Sequence, residues 1–101
     1  MKDVGMYKIY LGKQAVKVIK RRGEKFKKKI NNILQLVTKN PNPAQSERLS
    51  GELSFIHSLH FNFAGTMFRL AYVVDEKAKR ITIVLIGPRE NFYSILRQKL
   101  V

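Results

Sequence analysis

The stretch from Ser58 to Ile86 restricts the fold more than any other part of the chain. Ser58-Leu59-His60-Phe61-Asn62-Phe63 alternates polar and apolar residues, the period of a half-buried strand. Ala64-Gly65-Thr66 marks a turn. Met67 to Val74 then forms a second strand with Phe68, Leu70, Tyr72 and Val74 on one face. Asp75-Glu76-Lys77-Ala78-Lys79 is a polar turn, and a third strand runs from Arg80 to Ile86, bounded by Gly87-Pro88. Three consecutive strands with such short connections are antiparallel neighbours. Side-chain parity divides them. Leu59, Phe61 and Phe63 join Phe68, Leu70 and Tyr72 on an inner face. His60, Asn62, Arg69, Ala71 and Val73 take the opposite one, and His57 has the opposite parity to His60.

The rest of the chain builds around this meander. Tyr7 to Leu11 alternates and reads as a short strand, with Tyr7, Ile9 and Leu11 on one face. Ala15, Val16 and Ile19 recur at helical spacing between Lys13 and Arg22, and Gly23 breaks that helix. In a second helix Phe26, Ile30, Ile33, Leu34 and Val37 form one apolar stripe, and Asn40-Pro41-Asn42-Pro43 stops it. Ala44 to Glu52 reads as a connector with one short turn. The order is strand, two helices, three strands, helix. The long helical crossover lets the first strand pair in parallel with one inside the meander. The expected fold is α+β and two-layered: a four-stranded, mainly antiparallel sheet with an N-terminal helical hairpin on one face and a C-terminal helix. At 101 residues, one domain spanning 1–101 with one modest core is expected.

Charge narrows the function. The net charge is +13, from 20 Lys and Arg against 7 Asp and Glu. Such a field attracts nucleic acid, anionic membrane or an acidic protein. Nine of those 20 cations lie from Lys13 to Lys29, too dense in one sign to serve stability, because like charges a turn apart repel. Lys25, Lys28 and Lys29 are therefore candidates for RNA phosphate contacts that position a strand without reading it. There is no cysteine, which fits a reducing compartment. The N-terminal residues show no apolar signal-peptide core, and no apolar run approaches the roughly 20 residues that span a bilayer. A cytoplasmic protein with no membrane partner is the expectation. Walker, HExxH and dinucleotide motifs are absent, as is a carboxylate pair for glycoside chemistry. Two histidines without a carboxylate cluster do not make a metal site, so no metal and no small-molecule cofactor is expected.

Chemistry concentrates after the last strand, in Gly87-Pro88-Arg89-Glu90-Asn91-Phe92-Tyr93. Pro88 suits the first turn of a helix. On that helix Arg89, Tyr93 and Arg97 fall four apart along one face, and Phe92, Leu96 and Leu100 line an adjacent one that packs on the protein. Guanidinium forks suit phosphate because they donate two hydrogen bonds and keep their charge. A tyrosine orients a hydroxyl, stacks on a base or exchanges a proton. His60 is the one near-neutral acid–base side chain on the open sheet face, and Arg69 is the one charge in its strand. A basic surface with an imidazole, arginines and a phenol fits metal-free RNA cleavage, in which the ribose 2′-hydroxyl attacks the adjacent phosphate; a non-catalytic nucleic-acid-binding module is the alternative. His60, Arg69, Arg89 and Tyr93 are the candidate catalytic residues; Asn62 and Arg97 are candidate RNA contacts.

The sequence resembles the RelE/ParE superfamily of type II toxin–antitoxin toxins along nearly its whole length. The resemblance lies in Tyr7-Lys8-Ile9-Tyr10-Leu11, the basic helical hairpin and Leu49-Ser50-Gly51-Glu52-Leu53. It continues in Phe68-Arg69-Leu70-Ala71-Tyr72-Val73-Val74 and in the run from Ile83 to Tyr93. It implies the same fold. It also implies one of two actions: cleavage of mRNA in the ribosomal A site, as in the RelE branch, or poisoning of DNA gyrase, as in the ParE branch. Either would be held inactive by an antitoxin that wraps the toxin, here expected to be acidic. Arg69, Arg89 and Tyr93 match the RelE-type arginines and tyrosine and favour the ribonuclease branch, with mRNA and the ribosome as partners. The RelE-type lysines of the preceding strand are absent; His60 stands near one such position and Asn62 near another.

Overall fold

The computed structural model describes residues 7–43, 46–88 and 90–100, Leu100 by its backbone alone. The expectations for Arg89, for the side chain of Leu100 and for Ala44 at the start of the connector lie outside the described residues. In chain order the elements are strand β1 (Lys8–Leu11), helices α1 (Lys13–Arg22) and α2 (Glu24–Lys39), strand β2 (Ser46–Arg48) and a 3₁₀ turn (Gly51–Leu53). Strands β3 (Ile56–Phe63), β4 (Thr66–Asp75) and β5 (Arg80–Pro88) and helix α3 (Phe92–Leu100) complete the chain. Among the described residues the strands form one sheet in the order β1-β5-β4-β3-β2. β1 runs parallel to β5 and the other pairs are antiparallel. No described helix is long and apolar enough to cross a membrane.

Local sequence explains the frame. β3 and β4 pair without interruption from Ile56↔Val73 to Phe63↔Thr66. Their two-residue link, Ala64-Gly65, has φ of 52° and 82°, the doubly positive turn whose twist matches that of paired strands. Gly23, at φ 93°, separates α1 from α2, and its N–H donates to Ile19 O at 3.3 Å. The last turn of α1 carries Lys20, Arg21 and Arg22, and the first turn of α2 carries Glu24. Each of these charges suits the helix dipole at its end.

The helical hairpin covers the inner sheet face. Phe26, Ile30, Ile33 and Val37 of α2 and Ala15 of α1 bury against Leu59, Phe61, Phe68, Leu70, Tyr72, Ile81, Ile83 and Ile86. The Phe26 ring lies 5.0 Å from Phe63, 5.3 Å from Phe68 and 6.1 Å from Phe61. Arg22 places its guanidinium 4.7 Å from the Phe68 ring and closes the edge of this cluster.

Three features depart from the sequence expectation. The connector contributes β2, paired with β3 as Ser46↔Leu59, Glu47↔Ser58 and Arg48↔His57, so the sheet has five strands rather than four. Three residues are too few for alternation to show, and β2 exists because β3 offers an unpaired edge. The final helix starts at Phe92, not at Pro88. Pro88 still pairs with Phe68 as the last residue of β5, and Asn91 at φ 58° redirects the chain into α3. The outer sheet face is less open than expected. Phe92 and Leu96 of α3, with Leu53 of the 3₁₀ turn, bury Ile56, Ala71 and Leu85 there. A bulge on β5 makes this possible. Tyr72 pairs with Ile83 but Ala71 with Leu85, so the extra residue Val84 flips the strand's parity and aims Leu85 at α3.

Candidate functional site

The outer face carries the candidate site at the end of the sheet where β5 finishes. His60 of β3 and Arg69 of β4 are direct cross-strand partners, which sets their Cβ atoms roughly 5 Å apart on one face. One step along, toward the β3–β4 turn, Asn62 pairs with Met67, and both are exposed. On its other side Arg69 pairs with Gly87 of β5, which has no side chain to crowd it. Above lies Tyr93 in the first turn of α3, with the Arg69 guanidinium 5.4 Å from its ring centroid. Tyr93 is 38% exposed. The anchor beneath it is Phe92, buried on the protein and 5.7 Å from the Tyr93 ring.

Arg69 is the least satisfied of these groups. Its Nε and Nη1 are shut off from solvent and have no hydrogen-bond acceptor among the described residues. Desolvated donors on a charged group are costly unless something accepts from them. Tyr93 supplies only the face of a ring.

The other predicted residues divide. Arg97, one turn beyond Tyr93, reaches Glu52 at 3.3 Å in an exposed ion pair. With Tyr93 it lines a groove of about 470 Å³ that also involves Glu47, Arg48, Ser50 and Leu53. Lys25, Lys28 and Lys29 stand on α2, whose buried residues pack on the inner sheet face. They therefore lie across the sheet from His60. His57 is on the inner face too. It is 7% exposed and stacked 5.1 Å from the ring of Tyr72. Burial holds its imidazole below the usual histidine pKa, and Arg48 adds to the effect while Glu76 opposes it.

Two supporting residues carried no sequence signal. Gln14 of α1 clamps β5 beyond the end of β1: its Nε2 donates to Ile86 O at 2.8 Å, and its Oε1 accepts from Ile86 N at 2.9 Å. It stands in for the missing neighbour strand one residue before Gly87. Met67 is an exposed apolar residue beside Arg69, and the alternation of β4 alone gave no reason to single it out.

Comparison with known proteins bears on the fold and the family. The chain overlays an E. coli RelE toxin variant in its free state with a TM-score of 0.75 at 17% identity, over 95% of this chain and 99% of that one. The toxin–antitoxin complex RelBE2 of Mycobacterium tuberculosis gives a TM-score of 0.66 at 18% identity, over 83% and 99%. The archaeal RelE–RelB complex of Pyrococcus horikoshii gives 0.65 at 20% identity, over 84% and 97%. These likenesses are of fold. No curated protein matches the chain. A family model for the ParE-like toxin of type II bacterial toxin–antitoxin systems matches residues 9–97. The chain therefore belongs to that family: it is a type II toxin of the RelE/ParE superfamily with a RelE-like fold.

Proposed function

We propose that this toxin is an endoribonuclease that cuts mRNA in the ribosomal A site. The observation that carries the reading is Arg69, whose Nε and Nη1 lack acceptors among the described residues, beside the exposed His60 and beneath Tyr93. In the proposed step the 2′-oxygen forms a bond to the adjacent phosphorus and the bond to the 5′-oxygen breaks. The products are a 2′,3′-cyclic phosphate and a 5′-hydroxyl. One proton leaves the 2′-hydroxyl and one reaches the departing oxygen; His60 and Tyr93 divide these two transfers. Arg69 stabilises the charge that builds on the phosphorane. Arg89, which follows Pro88 in sequence, is assigned a second phosphate contact through the RelE resemblance. Asn62 and Arg97 hold the flanking strand, and Lys25, Lys28 and Lys29 give the helical layer a separate surface for ribosomal RNA phosphates.

An acidic antitoxin is the natural inhibitor of so cationic a protein. Solved relatives of the fold include RelE in complex with RelB or a RelB peptide. The test is a translation extract supplied with the purified toxin. Cut mRNA is expected, and Arg69→Gln should slow cutting by about 10²- to 10³-fold, the range seen when one charge-stabilising donor is lost. The ParE-like description of the matching family model favours a second reading, a binding toxin that blocks gyrase without chemistry. Intact mRNA together with inhibited DNA supercoiling, unchanged in His60→Ala, would establish that reading and overturn the first.

A further inference from the structure

The outer sheet face carries a second cationic surface, on β1 and β5, away from the candidate site. Tyr7 just before β1, Ile9 of β1, and Ile81 and Ile83 of β5 pack toward the helical hairpin. Lys8, Tyr10, Arg80 and Thr82 therefore point to the outer face. The parallel register pairs Lys8 with Arg80 and Tyr10 with Thr82. Thr82 pairs in turn with Val73, four residues along β4 from Arg69. At ordinary strand rise and spacing, Tyr10 lies roughly 15–20 Å from Arg69 on the same face. Between them, α3 is seated on Leu85 and Ala71.

Tyr10 lies on an edge strand of the sheet. It is 49% exposed, and the Arg80 guanidinium lies 5.5 Å from its ring centroid. That guanidinium is itself held 3.7 Å from Asp75. Lys8, Tyr10, Lys79 and Arg80 line a shallow hollow of about 220 Å³. An exposed aromatic ring braced by a fixed cation, with further cations around it, offers both halves of a single-strand contact: a flat face for a base and charges for the phosphates on either side. An acidic peptide would use the cations but would have no need of the ring.

We propose that Tyr10, Lys8 and Arg80 form an auxiliary site for single-stranded RNA, distinct from the His60–Arg69–Tyr93 site, in which one base stacks on Tyr10 between phosphates held by Lys8 and Arg80. The site rests on the reading of this toxin as an RNA-acting protein and gives it a second foothold on RNA, remote from cleavage.

The experiment measures binding of a fluorescent, uncleavable 2′-O-methyl RNA of mixed sequence to the full chain at several salt concentrations. Circular dichroism checks that each variant is folded. Tyr10→Ala should weaken binding about tenfold, some 1.4 kcal/mol, and Tyr10→Phe should restore it, since stacking needs only the ring. Lys8→Gln should lower the slope of log affinity against log salt by about 0.7, one phosphate's share on a single strand. Unchanged affinity in Tyr10→Ala, or an unchanged slope in Lys8→Gln, overturns the site. Oligo-glutamate that binds with the same dependence on Tyr10 also overturns it, and makes the surface a protein contact. The two readings separate cleanly. Normal mRNA cutting that is lost in Arg69→Gln, with Tyr10→Ala binding like wild type, sinks the auxiliary site alone. Weakened binding in Tyr10→Ala without any mRNA cutting sinks the nuclease alone.

Discussion

The two faces of the sheet are built for different ends. Among the described residues thirteen make the buried cluster beneath the helical hairpin, whereas six make the one beneath α3, so the inner face supplies most of the apolar burial that holds the fold. That inner cluster gathers aromatic rings edge-on or tilted around Phe26. The outer face leaves His60, Asn62 and Met67 in solvent and carries in Arg69 a guanidinium with donors unused. A chain selected only for stability would not place an unpaired charge in a central strand. The division teaches that the hairpin fixes the strands, and that the strands then hold chemistry on the side where packing is thin.

The largest expected effect tests the inner face. Phe26→Ala removes a fully buried ring that touches three others and should cost about 3–5 kcal/mol of stability, read by urea unfolding. Arg69→Gln is the counterpart on the outer face. It should leave urea stability unchanged or slightly raised, because it removes a poorly satisfied charge, while it abolishes most mRNA cutting. Equal destabilisation by the two substitutions would break the comparison, since Arg69 would then be part of the structural core.

Much of this division is legible in the sequence alone. Alternation from Ser58 to Val74 fixes parity, and parity alone puts His60 and Arg69 on one face and Phe61 and Phe68 on the other. What stayed hidden depends on backbone events that side-chain patterns do not record. The bulge at Val84 reverses β5, so a strict alternation through Leu85 and Ile86 would have misassigned both. β2 is too short to declare itself and forms only against the edge of β3. The Gln14 clamp joins positions 72 residues apart. Tyr93 was legible as a helical residue, but its place over Arg69 depends on where Asn91 turns the chain.

A smaller effect probes the rim of the inner face. His57 is buried against Tyr72 and pairs in register with Arg48 of the edge strand. Its pKa is lowered in the folded protein, first by burial and then by Arg48. Above the ordinary histidine value of about 6.5 the imidazole is neutral in both folded and unfolded chains, and stability is unaffected. As pH falls through that value the unfolded chain takes up a proton that the folded chain resists, so stability declines. The melting temperature of the wild type should therefore fall between pH 7 and pH 5.5. His57→Phe, which keeps the stack on Tyr72 and cannot protonate, should fall less. Parallel declines in the two proteins would remove His57 from the account.

The smallest effect sharpens the comparison from the other direction, by adding stability without touching either face. Ala64 sits at φ 52° in the β3–β4 turn, followed by Gly65 at φ 82°. A left-handed backbone is strained for alanine, whereas asparagine tolerates it, and Asn-Gly is the pair this turn favours. Ala64→Asn should therefore raise stability by about 0.5–1 kcal/mol in the same urea assay. The turn lies beyond the Asn62–Met67 pair, and residue 64 is exposed at the tip. Since the register of β3 and β4 is already continuous up to Phe63↔Thr66, the gain should come with no change in mRNA cutting. A gain in stability that also altered cutting would mean that strain at the tip is felt at Arg69, and that the faces are coupled through the hairpin itself.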